Sequence, residues 1–106
     1  MKLLNIQQLF NESFNIEHIK SEAENSLYTY LGNCKFLREE FGNDIDVCNL
    51  HIEYSHFQIF INTVSGIPFF RVRYKIYAKG ETLPKFWYEM EFDSFGNIQV
   101  DYFDLV

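Results

Sequence analysis

The hydrophobic period of this chain changes once, near residue 50, and that switch restricts it to helices followed by strands. Upstream, Ile16, Ile19, Ala23, Leu27, Tyr30 or Leu31, Cys34, Leu37 and Phe41 recur at steps of three and four, the spacing of one helix face. Asn15 supplies an N-cap, with Phe14 and Ile19 as a hydrophobic staple and Glu17 in the first turn, where the helix dipole favours a negative charge. The stripe stays in phase across Gly32-Asn33, so the reading is one long or slightly bent helix, stopped at Gly42-Asn43-Asp44. Ahead of it, Asn5 and Gln8 form a capping box and Ile6, Leu9 and Phe10 a short stripe, which predicts a first helix over 6–13.

From Leu50 onward alternate residues are apolar. Leu50, Ile52 and Tyr54 share one parity and Phe57, Ile59 and Ile61 the other, so Ser55-His56 marks either a two-residue hairpin turn or a bulge in one strand. Ser65-Gly66-Ile67-Pro68 turns the chain into an alternation of Phe70, Val72, Tyr74 and Ile76 with Arg71, Arg73 and Lys75. Lys79-Gly80-Glu81-Thr82 and Asp93-Ser94-Phe95-Gly96-Asn97 separate two further runs, Phe86-Tyr88-Met90-Phe92 and Ile98-Val100-Tyr102. The fold class expected is α+β: N-terminal helices, one short and one long, packed on a four- or five-stranded antiparallel meander sheet, with 1–106 as a single domain.

Matching like faces predicts the register. On the core side Tyr74 is set opposite Tyr88 and Met90 opposite Val100; on the other side Arg73 faces Glu89, Arg71 faces Glu91, and Glu89 faces Asp101. The basic row Arg71, Arg73, Lys75 is thereby answered by acids and makes a poor nucleic-acid site. Phe60, Tyr77, Trp87 and Phe103 are expected on the same outer face, with Trp87 between Lys75 and Phe103, covered either by the short first helix or by a partner.

Charge narrows the partners. With a net charge of −6, the chain is expected to bind neither nucleic acid nor an anionic membrane, both of which call for a basic field. No apolar run approaches a membrane span and Met1 to Glu12 contains no signal-peptide core, which predicts a cytoplasmic location with Cys34 and Cys48 as reduced thiols. Cys48, His51 and His56 lack a fourth metal ligand and Cys48 and His51 have opposite strand parity, so no metal or other cofactor is expected. Cys34 sits on the apolar helix stripe, where a thiol is inert, and Glu89 with Asp101 is set beside Arg73 as a neutralised pair, so no catalytic residue is assigned and the chain is not read as an enzyme.

The acids fall in two stretches free of lysine and arginine: Glu39, Glu40, Asp44, Asp46 and Glu53, and then Glu89, Glu91, Asp93, Asp101 and Asp104. If they converge they form a docking patch for a cationic protein; if not, they are two separate solvated faces. The size, acidity and layout of the chain, with the hairpin pattern Phe86-Trp87-Tyr88-Glu89-Met90-Glu91-Phe92-Asp93-Ser94-Phe95-Gly96-Asn97-Ile98, resemble the small immunity proteins of bacterial polymorphic toxins, including those of contact-dependent growth inhibition. That resemblance implies an inhibitor of a basic cognate toxin, often a nuclease. The residues expected to bind the partner are Glu39, Glu40, Asp44, Asp46, Glu53, Trp87, Glu89, Asp101 and Tyr102. The alternative is a cystatin-like or nuclear-transport-factor-like domain, a small-ligand binder or an enzyme. It calls for a roomy pocket between helix and sheet, lined by Tyr74, Tyr88 and Tyr102 around a buried acid or histidine.

Overall fold

The computed structural model describes residues 16–42 and 47–106. Two helices, α1 (Ile16–Leu31) and α2 (Cys34–Phe41), precede strands β1 (Leu50–Ile61), β2 (Pro68–Ala78), β3 (Phe86–Phe92) and β4 (Ile98–Leu105). The strands pair in chain order, all antiparallel, as a meander with β1 and β4 at its edges. The expected helix over 6–13, and the cover it was to give the outer sheet face, lie outside the described residues.

The long helix expected from the stripe is two helices. At the break the Asn33 N–H donates to the Tyr30 carbonyl, 3.1 Å away, instead of continuing the helical ladder. Asn33 leaves helical geometry (φ −112°, ψ 74°), and its side-chain oxygen accepts from the Phe36 N–H at 3.0 Å, capping α2. An asparagine after a glycine thus restarts the helix at little cost, because it satisfies an end donor that a break exposes. Hydrophobic phase survives: Ile19, Ala23, Leu27 and Leu37 are buried, and Tyr30 and Leu31 both pack against the core. Gly42, with φ of 84°, ends α2 as its position suggests, its N–H bonded to the Arg38 carbonyl.

β1 is one bulged strand rather than a hairpin. Tyr54 pairs with Tyr74 and His56 with Arg73, leaving Ser55 as the extra residue, so Leu50, Ile52 and Tyr54 before it share a face with Phe57, Ile59 and Ile61 after it. Between β2 and β3 the expected register holds, with Tyr74 opposite Tyr88, Arg73 opposite Glu89 and Arg71 opposite Glu91. Tyr74, Ile76, Phe86, Tyr88 and Phe92 are fully buried under the helices.

Between β3 and β4 the register departs from expectation by one residue. Phe92 lies opposite Ile98, as like-face matching requires, but Glu91 lies opposite Val100, so Gln99 is an extra residue in β4. Its side chain folds back onto the turn, donating to Asp93 Oδ2 at 3.2 Å, while the Asp93 carboxylate also accepts the N–H groups of Phe95 and Asn97, each at 2.9 Å. Those bonds hold the Asp93 carboxyl below its ordinary pKa. Beyond Gln99 every side chain changes face. Asp101 lies opposite Met90 and Phe103 opposite Tyr88 on the helix side, whereas Val100 and Tyr102 join Glu91 and Glu89 on the outer side. The expected pairings of Met90 with Val100 and of Glu89 with Asp101 are therefore wrong, as is Phe103 on the outer face beside Trp87.

The outer face is an ionic and aromatic lattice. Arg73 bonds Glu89 at 2.9 Å, and Arg71 bonds Glu91 at 2.9 Å with a longer 3.6 Å contact to Glu89. The Arg73 guanidinium lies 4.8 Å from the Trp87 ring, and Arg71 lies over Phe60 and Tyr102 at 5.1 and 5.6 Å. Lys75 is opposite Trp87 in register, but Arg73 supplies its cation–π contact. His51 stacks on Tyr77, with ring centroids 5.1 Å apart. Glu89 is only 6% exposed, and its loss leaves the part-buried Arg73 without its counterion and Arg71 with Glu91 alone. Glu89→Ala is expected to lower the urea midpoint by the equivalent of about 1–3 kcal/mol at unchanged m-value.

Candidate protein-binding groove

The Gln99 bulge places a carboxylate against the helices. Asp101, half-buried, accepts hydrogen bonds from the hydroxyls of Tyr88 at 2.9 Å, Ser26 at 3.3 Å and Tyr30 at 3.4 Å. Three elements meet there: Ser26 and Tyr30 lie one turn apart on α1, Tyr88 comes from the centre of β3, and Asp101 from β4. Below the carboxylate, Tyr30 stacks on Phe103 at 5.5 Å and Phe103 packs on Phe86 at 5.3 Å. Phe41 of α2 meets Phe86 and Phe103 at 5.0 and 5.7 Å, fixing the second helix over the end of the sheet.

A groove of about 380 Å³ runs between this aromatic cluster and β4. Glu40, Asp101 and Asp104 contribute its acids, the rings of Tyr30, Phe36 and Trp87 much of its apolar wall, and no lysine or arginine lines it among the described residues. A neighbouring hollow of about 390 Å³ extends the same surface along α1 past Tyr30 and Phe36 to Thr29 and Asn33. Phe36 is exposed although it is aromatic, which places an apolar ring at the mouth of both.

Burial pushes the Tyr88 hydroxyl well above its ordinary pKa of 10; the Ser26 hydroxyl opposes the shift and Asp101 adds to it. Burial likewise raises Tyr30, with the Asp101 charge adding to it, and raises Tyr74, whose hydroxyl is near Glu24 and donates to the Lys20 carbonyl at 3.3 Å. At neutral pH these hydroxyls are donors, those of Tyr88 and Tyr30 orienting the Asp101 carboxylate and that of Tyr74 bonding the Lys20 carbonyl, and not nucleophiles. The Asp101 carboxylate accepts all three hydroxyls on its two oxygens, and the exposed Phe36 ring offers a face to a cation.

The raised pKa values carry a stability consequence. Unfolded tyrosines ionise near pH 10, before Tyr74 and Tyr88 do so in the fold, so their contribution is complete below pH 10 and declines above it. Stability should fall above pH 10 by up to about 1.4 kcal/mol per pH unit for each of the two tyrosines. Urea melts between pH 8 and 11.5 measure this, and Tyr88→Phe should flatten the decline while costing about 1 kcal/mol at pH 8.

The residues expected to bind a partner divide into three groups. Glu40, Trp87, Asp101 and Tyr102 line the groove. Glu89, on the outer face opposite Tyr102, is locked to Arg73 and does not line the groove, and Glu53 lies opposite Lys75 on β1, at the far side of the sheet. Glu39 is exposed on α2 but does not line the groove, and Asp44 and Asp46 lie outside the described residues. Tyr30, Phe36, Phe41, Phe103 and Asp104 also line the groove and were missed as site residues; Asp104, in the second acidic stretch, and Phe103, among the aromatics that a partner could cover, had a visible signal. The pocket expected for a small-ligand domain takes a different form, since Tyr74 and Tyr88 are fully buried in packed core and Tyr102 points to the opposite face of the sheet.

No helix among the described residues is long and apolar enough to cross a membrane. Comparison with family models, curated proteins and solved structures yields no significant match.

Proposed function

We propose that this protein is a cytoplasmic inhibitor of the immunity type, which neutralises a basic protein toxin by binding it in the groove between α1, α2 and β4. The observation that carries this reading is the separation of the acids into spent and unspent sets. Glu89 and Glu91 are neutralised by Arg73 and Arg71, whereas Glu40, Asp101 and Asp104 converge on one aromatic-walled groove with no basic residue in its lining among the described residues. Such an arrangement attracts a cationic surface over distance and then supplies apolar anchors for it. The packing of Tyr74 and Tyr88 in the core favours a macromolecular partner on the surface over a small ligand held within.

The test is co-purification with the product of the adjacent reading frame, followed by calorimetry in increasing salt. A tight complex with a basic protein is expected, weakening about tenfold or more between 50 and 500 mM salt as the charges are screened. The absence of a complex, or a complex indifferent to salt and to charge reversal in the groove, removes the reading.

A further inference from the structure

The wall of the groove formed by β4 is also an open sheet edge. The Val106 N–H donates to the Lys85 carbonyl, so Val106 directs its backbone toward β3. Alternation along an antiparallel strand then turns the N–H and C=O groups of Leu105, Phe103 and Asp101 outward, where no described strand pairs with them. Asp104 Oδ1 accepts the Leu105 N–H at 2.8 Å, as expected of a donor that β3 does not use.

Beyond the Gln99 bulge, this edge carries few of the usual protections among the described residues. Residues 98–106 contain no proline and no lysine, and Val100, Tyr102 and Leu105 are each about 40% exposed, at 38, 40 and 43%. The opposite edge, β1, is broken midway by the Ser55 bulge, which interrupts its row of donors and acceptors. A second copy of the chain is a poor occupant for β4: antiparallel pairing of two β4 edges brings Asp101 and Asp104 near their counterparts, with no cation on either strand.

We propose that an extended basic segment of the partner docks as an added strand on β4, pairing its backbone with Asp101, Phe103 and Leu105 and its cationic side chains with Asp101 and Glu40 on one face and Asp104 on the other. The inference rests on the groove being the binding surface and specifies how it is used. Backbone pairing supplies affinity that does not depend on sequence, and the flanking acids select for lysine or arginine at alternate positions. Asp104 must release the Leu105 N–H as the strand arrives, which frees its carboxylate for a cation.

The test uses a capped nine-residue peptide of alternating arginine and valine, the same peptide N-methylated at alternate amides, and a glutamate–valine counterpart. Trp87, the one tryptophan of the chain, lines the groove and reports binding by fluorescence. Expected are saturable binding of the arginine peptide, at least about tenfold weaker binding of the N-methylated form set that blocks pairing, and no binding of the glutamate peptide. Hydrogen exchange should slow by about tenfold or more at the Asp101 and Phe103 amides of the bound protein, while the amides already bonded to β3 change little. Binding of the arginine peptide without that protection, and without sensitivity to N-methylation, overturns strand addition but leaves the groove reading intact. Failure of the arginine peptide to bind any better than the glutamate peptide overturns both.

Discussion

Phe86→Ala is expected to destabilise the fold by about 3–5 kcal/mol, the range for emptying a fully buried phenylalanine site. Phe86 is 0% exposed, and its ring is the point at which Phe41 of α2 and Phe103 of β4 meet. These two neighbours come from different elements, so collapse around the cavity requires movement of a helix or an edge strand and will be incomplete. For a domain of this size the melting temperature should fall by roughly 15 °C or more. A calorimetric scan beside Phe41→Ala, whose ring is half-buried, measures the difference. A loss below about 1 kcal/mol would mean that α2 does not pack as described.

Combined reversal of Glu40 and Asp104 to lysine should reduce affinity for a basic partner by about 100-fold, or about 2.7 kcal/mol, with most of the change in association rate and in salt dependence. Both residues are exposed, so the fold should tolerate the change, and unaltered circular dichroism and melting temperature provide the control. Asp101 is a poorer choice for that experiment because it accepts from Tyr88, Tyr30 and Ser26, and its removal would confound binding with stability. Reversal of Glu53, which sits opposite Lys75 on the far side of the sheet, should leave affinity within about twofold. Equal losses from both sets would mean that net charge alone governs the encounter, without a groove.

The order of elements was legible because it depends on period and punctuation alone. A stripe at steps of three and four can bury one face only as a helix, alternation only as a strand, and the Gly-containing turns separate the strands cleanly. Tyr74 opposite Tyr88 and Arg73 opposite Glu89 followed from the same logic, since two unbroken alternations have one register that sets like against like. The bulge at Ser55 was legible as a change of parity, though not as a bulge rather than a turn.

Gln99 produced no such signal. Val100-Asp101-Tyr102-Phe103 has large side chains at both parities, so sequence alternation favours neither face strongly, and the first parity continued from Ile98 was the wrong one. The choice was made by the Asp93 turn, which captures the Gln99 side chain, and by the three hydroxyls of Tyr88, Tyr30 and Ser26, which satisfy Asp101 once it faces inward. A half-buried carboxylate is tolerable only where donors await it, and two of those donors lie more than 70 residues away along the chain. Sequence by itself determined a helical segment followed by antiparallel strands in chain order, and the acidic excess, because each is a property of neighbouring residues or of simple sums. The pairing of Arg73 with Glu89 and of Arg71 with Glu91 was legible in the sequence, but the placing of Asp101 toward the helices at the β4 edge was decided in tertiary structure, by a single inserted residue that reverses every side chain beyond it.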